Sequence, residues 1–292
     1  MSFTADEIAS QPQLWRTAIA GTSRATELLV APGQKVLALG CGSSAYVAES
    51  FAYLREQAGH GVTDAGYASE PRVGRDWTGG IAITRSGTTS EVLEALRAVP
   101  AGVTQVVVTG VADSPAAELA DHVLLLDYAD ERSVVQTRFP TVVLMTARAA
   151  LGYDVSALPG QLEEALAAPL QVDPAAHDHI VYLGTGWSHG LAQEAALKVR
   201  EAAQAWSESY PTLDYRHGPV AVAHTGSLVW LFDAADETLA DDIRATGATV
   251  RVGGSDPLIE LVQAQRFAVA AAEQRGLNPD TPRHLTRSII LD

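Results

Sequence analysis

Residues 35–54 read KVLALGCGSSAYVAESFAYL, and residues 180–199 read IVYLGTGWSHGLAQEAALKV. Each is a short apolar run, a Gly-x-Gly turn with a serine just after it, and a segment of helical period. Gly40 and Gly42 recur as Gly184 and Gly186, an offset of 184 − 40 = 144 in a chain of 292 residues. Two copies of one strand–turn–helix unit predict two similar α/β halves rather than a long repeat array.

Outward from the first copy, apolar runs predict strands near Val36–Leu39, Ile81–Thr84, Val106–Thr109 and Val123–Leu126, with a weaker one near Val62–Tyr67. Helical periodicity falls near Ala45–Ala58, Ser90–Ala98, Pro115–Ala120 and Val134–Leu151. Continuous apolar strands alternating with helices imply a parallel sheet covered on both faces. The second half gives strands near Ile180–Leu183, Ser227–Phe232 and Thr249–Val252, and helices near Gly190–Glu208, Glu237–Thr246 and Leu258–Arg275. Residues 209–226 show no period and read as a long connection, the kind of loop that carries function. Pro159–Gln171 holds a short helical pattern between prolines and reads as a link. At the start, Thr4-x-x-Glu7 has capping-box spacing, and its helix is expected to pack outside both halves.

Composition narrows the function. Lys plus Arg is 20 against 35 Asp plus Glu, a formal charge of −15. That balance repels nucleic acid and anionic lipid, and no basic run offsets it. Small anions remain possible ligands, because backbone amides and hydroxyls bind phosphate without net positive charge. The single cysteine, Cys41, excludes an intrachain disulfide and a cysteine-rich zinc site. The opening residues do not read as a signal peptide, and uncharged stretches such as Phe139–Ala147 are too short to span a bilayer. A cytoplasmic protein is the expectation.

Three segments offer chemistry. In ITRSGTTSEVLEAL (83–96), a strand end meets a helix start, and Thr88 and Glu91 have capping-box spacing. Ser86, Thr88 and Thr89 can donate to an anion on the positive end of that helix, and Gly87 permits close backbone approach. Gly40–Ala45 matches the dinucleotide fingerprint Gly-x-Gly-x-x-Ala, with Asp64 near the spacing of a ribose-binding acid. Its adjacent serines, Ser43 and Ser44, suit a monophosphate better. In 193–219, Glu194, Lys198 and Glu201 share one helix face, with Glu208 seven residues further on. Such a Glu–Lys pair is most often a surface ion pair. Alternatively, a carboxylate and His217 flanking one site form an acid/base pair. Spacing leaves both readings open. His122, His177 and His179 show no metal-ligand spacing, so no metal is expected. Trp206 and Leu197 are expected on the buried side of their helix.

Together these segments resemble the SIS (sugar isomerase) family of phosphosugar-binding proteins. The family's CGTS turn is matched by Cys41-Gly42-Ser43-Ser44, and its ASEFR segment by Ala68-Ser69-Glu70-Pro71-Arg72. Its phosphate loop, S-x-S-G-x-T, is matched by Thr84-Arg85-Ser86-Gly87-Thr88-Thr89. The E-G-A-L-K-x-K-E helix resembles Glu194–Glu201, and the L-K-H-G-P loop resembles Tyr215-Arg216-His217-Gly218-Pro219. The ending P-R-N-L-x-K-S-V-T resembles Pro282–Ile290. The match is similar to the isomerase domain of the glutamine–fructose-6-phosphate amidotransferases. TADEIASQPQLW (4–15) and GLNPDTP (276–282) look like the agaS-type isomerase/deaminase branch.

The resemblance implies an α/β fold of two SIS subdomains, each a flavodoxin-like parallel sheet with helices on both faces. The expected division is an N-terminal helix with SIS subdomain 1 over 1–155, a linker over 156–178, and SIS subdomain 2 with a C-terminal tail over 179–292. It implies an isomerase or deaminase of hexose or aminohexose 6-phosphates that works without a cofactor. Glu201 would shuttle a proton between C1 and C2, and His217 would open the sugar ring from across a homodimer interface. Ser43, Ser44, Ser86, Thr88 and Thr89 would hold the phosphate, with Glu194, Lys198 and Arg287 also in contact with substrate. Where the synthase has an imine-forming lysine, this chain has Arg287, a poor carbonyl nucleophile. No glutaminase domain stands in the chain, so glutamine-dependent synthesis is not expected. A non-catalytic phosphosugar sensor is the alternative, and a nicotinamide-dependent oxidoreductase a third. The second half's equivalent of the hydroxyl-rich turn, Phe232–Glu237, is acidic and predicts one phosphate site per chain, supplied by the first half.

Overall fold

The computed structural model describes residues 2–233 and 237–291. The chain opens on α1 (Phe3–Ala9), α2 (Gln11–Ala20) and α3 (Thr22–Ala25). Then come β1 (Val36–Gly40), α4 (Ser43–Gln57), β2 (Thr63–Tyr67), β3 (Gly79–Ile83), α5 (Ser90–Ala98) and β4 (Thr104–Thr109). They are followed by α6 (Pro115–Leu119), β5 (His122–Leu125), α7 (Arg138–Ala150) and α8 (Leu158–Ala167). The remainder is β6 (His179–Gly184), α9 (Trp187–Ala203), β7 (Trp206–Pro211), β8 (Ser227–Leu231), α10 (Glu237–Ala245), β9 (Thr249–Val252) and α11 (Pro257–Gln274).

Two parallel sheets result, with orders β2-β1-β3-β4-β5 and β7-β6-β8-β9. Burial explains which runs were legible. Every residue of β1, β6 and β8 is buried, as expected of central parallel strands covered on both faces. The edge strands β2, β5, β7 and β9 are half-buried or exposed over most of their length. Leu37, Leu39, Val92, Leu96 and Val107 anchor one core, and Val181, Leu183, Val229, Leu239 and Ile243 the other.

By compactness the chain falls into two units. One holds 10–132, 136–159 and 286–292, with the five-stranded sheet; the other holds 1–9, 133–135 and 160–285, with the four-stranded sheet. Each terminal segment thus belongs with the opposite half of the sequence, because its hydrogen bonds lead there. Thr4 Oγ1 donates to Asp280 at 2.7 Å, while Ile289 O accepts from Ser90 N at 3.1 Å. Thr4 is therefore no cap: α1 starts at Phe3, and Ser2 Oγ accepts from Ala5 N at 3.2 Å.

The second half departs most from its reading. The helix predicted to Glu208 stops at Ala203, where Gln204 turns left-handed at φ 49°, and β7 follows in what was read as helix and loop. Trp206 consequently lies on an edge strand, 69% exposed, and Leu197 is only partly buried.

The internal echo is realised in detail. Gly42 and Gly186 adopt matching positive-φ conformations, φ/ψ 53°/−126° and 61°/−126°, open to glycine. A Cβ on Gly40 would lie 2.4 Å from the Ser44 carbonyl carbon, and one on Gly184 2.3 Å from the Ser188 carbonyl oxygen. The neighbour in each case is helix backbone, which cannot swing aside. Gly184→Ala is therefore expected to destabilise the fold by at least about 2 kcal/mol. A urea midpoint equal to wild type would refute the close approach. Among the described residues, no helix is long and apolar enough to cross a membrane.

Candidate functional site

In the unit of the five-stranded sheet, β3 delivers the chain into the turn Thr84–Thr89 and α5 leaves from Ser90. Gly87 takes φ 67°, and a Cβ there would meet Ser114 Oγ at 2.1 Å, so the turn tolerates only glycine. Thr89, not Thr88, is the residue preceding the helix, and no side-chain cap forms. Thr88 Oγ1 instead shares hydrogen bonds with Ser86 Oγ at 3.1 Å and Ser288 Oγ at 2.9 Å, donating to one and accepting from the other. One donor at the helix start, Ser90 N, is already taken by the tail carbonyl of Ile289.

A small polar cleft opens beside this turn. Ser44, Ser86, Thr89 and Arg287 line it together with Cys41, Arg85 and Gln136. Four of the expected binding residues are thus gathered on one wall. Thr88 faces the C-terminal tail, and Ser43 is buried in the first turn of α4; neither lines the cleft. Arg85 and Gln136 were missed. The signal for Arg85 was available: a cation inside a hydroxyl-rich turn of a strongly acidic chain.

Both guanidinium groups come with counter-charges. Arg85 is 3% exposed and sits 3.6 Å from the buried carboxylate of Glu131, donating also to Arg287 O at 3.0 Å. Glu131 in turn accepts from Thr137 Oγ1 and Arg138 N, both at 2.8 Å, at the positive end of α7. Arg287 donates to the Asp130 carboxylate and to Glu131 O. Asp64, the candidate ribose acid, is paired with Arg75 at 2.7 Å.

Burial, and then the charge of Glu91, push the Cys41 thiol up to about 11. Two units above the ordinary value means about a hundred-fold less thiolate at neutral pH. Iodoacetamide should accordingly label Cys41 about a hundred times more slowly than a free cysteine at pH 8. Labelling at the free rate would contradict the burial.

The unit of the four-stranded sheet carries the other candidates on α9. Lys198 Nζ lies 2.6 Å from Glu201 Oε2 and 3.3 Å from Glu194 Oε1. The Glu194 and Lys198 side chains are each 1% exposed and that of Glu201 18%. This is a buried three-charge cluster rather than the surface pair that spacing alone favoured. Glu208 is not part of it. On β7, burial pushes the Glu208 carboxyl up, but hydrogen bonds from Trp206, His179 and Tyr210 outweigh that and hold it below its ordinary value. His179 is buried, hydrogen-bonded to Ser227 at 2.9 Å and stacked on His224; His177 is buried and His122 exposed. Among the described residues, no group of three metal-ligating side chains occurs. His217 ends a short 3-10 turn, Leu213–His217, and is exposed. Its neighbour Tyr215 is buried, which pushes that phenol up to about 12.

The second Gly-x-Gly turn holds a carboxylate of its own. Asp233 accepts from Thr185 N at 2.9 Å and from Ser188 Oγ. Ser188 stands 144 residues after Ser44, which lines the cleft of the other unit (188 − 44 = 144). Of the acidic stretch expected to repel phosphate, Ala234–Asp236 lies outside the described residues.

Comparison with known proteins agrees with this architecture. Residues 29–151 match the SIS domain family model. The chain is 27% identical to the glutamine–fructose-6-phosphate aminotransferase (isomerizing) of Symbiobacterium thermophilum, over 99% of this chain and 59% of that protein. It spans about half the length of the curated relatives it matches. Glucosamine-6-phosphate deaminase from Thermotoga maritima superposes with a TM-score of 0.88 at 28% identity, covering 99% of this chain and 100% of that one. The C-terminal domain of glucosamine-fructose-6-phosphate aminotransferase from Francisella tularensis shares the fold, with a TM-score of 0.81 at 19% identity over 97% and 98% of the two chains. Residues 29–151 thus match a SIS domain, and with two parallel sheets of this topology the chain is similar in fold to SIS-domain proteins over its whole length.

Proposed function

We propose that this chain is a phosphosugar isomerase/deaminase acting on hexose or aminohexose 6-phosphates in the cytoplasm. The observation that carries the reading is the cleft at the start of α5, where the hydroxyls of Ser44, Thr84, Ser86 and Thr89 and two guanidinium groups converge. Hydroxyls and guanidinium N–H donors at a helix start suit a dianionic phosphate. The Thermotoga maritima deaminase, alike over the whole length of both chains, supports the same substrate class.

In the mechanism we assign, Ser44, Ser86 and Thr89 donate to the 6-phosphate. Arg85 and Arg287 face its charge, while Thr88 and Ser43 support the turn. His217 of the partner subunit in a homodimer opens the ring. Glu201 then removes the proton from C2 and returns it to C1. For an aldose this passes through an enediol to the ketose. For a 2-amino sugar it gives a C2 imine, which water hydrolyses to the ketose phosphate and ammonia. Lys198 holds the Glu201 carboxylate through Oε2, and Glu194 fixes Lys198 from the other side. No lysine stands where Arg287 does, and a guanidinium pinned by Asp130 does not form an imine.

That same pinned Arg287 favours the second reading, a regulator that binds a phosphosugar without transforming it. A panel of hexose and aminohexose 6-phosphates, assayed for ketose and for ammonia in D2O, separates the two. We expect turnover of at least one, with solvent deuterium entering at C1 or C2. Ligand-induced thermal stabilisation without turnover or label would overturn the enzyme in favour of the regulator.

A further inference from the structure

A second cleft of ≈ 690 Å³ lies wholly within the unit of the four-stranded sheet. Its walls are Trp230 of β8, Arg251 of β9, Glu260 and Gln263 of α11, and the segment 168–172 after α8. That volume falls within the range of small-molecule sites. The proposed chemistry uses none of these residues.

The wall is built of locked polar groups. The Arg251 guanidinium lies over the Trp230 ring, 4.1 Å from its centroid, and donates to Glu260 Oε2 at 2.8 Å and to Gln171 Oε1. Trp230 Nε1 donates to the same Glu260 oxygen at 3.1 Å, and Ser255 Oγ to the other at 2.7 Å. Within this ordered set, two donors have no hydrogen-bond partner: Arg251 Nε and Gln263 Nε2. Gln263 is 9% exposed. Its Oε1 accepts from Arg266 at 2.9 Å, but Arg266 is also held by the carbonyls of Ala165 and Ala168. Gln263 lines the cleft, and with its Oε1 held by Arg266 the Nε2 end of the amide is the one left to a ligand. Buried donors left without partners in the wall of a cleft point to an acceptor supplied from outside.

Charge decides the kind of acceptor. Glu260 neutralises Arg251, and Glu164 and Asp256 remain on the lining. A net acidic cleft rejects phosphate and accepts hydroxyls, carbonyls or an amine. We propose that this cleft binds an unphosphorylated polyol, neutral or amine-bearing, of one or two rings in size. The inference does not rest on the phosphosugar reading.

The test is calorimetric titration with glucosamine, glucose and inorganic phosphate, alongside Trp230 fluorescence. Saturable binding of glucosamine is expected, unaffected by added phosphate. Gln263→Leu should weaken it about ten-fold, the worth of one buried hydrogen bond, while Gln263→Asn should lose less. Ser86→Ala should leave it unchanged, and Trp230→Phe should remove the fluorescence change but not the heat. A melting temperature equal to wild type for Gln263→Leu shows that the fold persists. No saturable binding of either sugar, or equal affinity in Gln263→Leu, would overturn the proposal. Turnover of hexose phosphates, measured separately, stands or falls independently.

Discussion

Glu201→Gln is expected to turn over the preferred hexose 6-phosphate at least about a hundred-fold more slowly than the wild-type chain, the lower bound for a positioned general base. The substitution keeps the size of the side chain and an oxygen for Lys198 to bond, 2.6 Å away in the native protein. Glu194 still faces Lys198 at 3.3 Å, so the ammonium is not left without a counter-charge. The melting temperature should accordingly stay near that of the parent. Because the proposed phosphate grip is remote in sequence from Glu201, KM should change little while kcat falls. Deuterium entry at C1 and C2 should fall in parallel with kcat. Equal kcat values for the two proteins would remove Glu201 from the chemistry, and a rise in KM alone would make it a binding group.

Lys198→Met should act on the fold itself. It deletes the cation faced by two carboxylates, of which Glu194 is 1% exposed. Removing one partner of a buried ionic group strands the others in a poorly solvated site, at a cost of about 3–5 kcal/mol. Adding Glu194→Gln should recover much of that loss, because it relieves the stranded charge; the pair should therefore be far from additive. Urea denaturation of the two single variants and the double measures this directly. A loss of under about 1 kcal/mol for Lys198→Met would mean that the cluster behaves as exposed ion pairs do. Additive effects would mean that Lys198 and Glu194 do not interact energetically.

The sequence spoke most clearly where burial was complete. The runs at Val36–Leu39 and Ile180–Leu183 became central strands because every side chain there is apolar and enclosed. β7 escaped notice because WSESYP, on a sheet edge, carries three polar residues in a row and no apolar run, with buried Ser207 tied back to Ala196 O at 2.7 Å. The stop of α9 was equally silent, since Gln204 takes a left-handed turn that glycine ordinarily announces. The hydroxyls of the cleft were legible as a motif, but Gln136 was not, because it lies nearly fifty residues beyond the turn and only the fold brings it there. Burial of Lys198 was invisible in i, i+4 spacing, which looks the same on a wet face and a dry one.

Asp233 gives the duplicated architecture a consequence of its own. A carboxylate tethered to the chain is presented to Thr185 and Ser188 at an effective concentration no dissolved anion matches. Any free competitor must first evict a resident that never diffuses away. In the first copy of the loop Ser44 lines the cleft, while in its twin Asp233 is a permanent clasp joining the end of β8 to the head of α9.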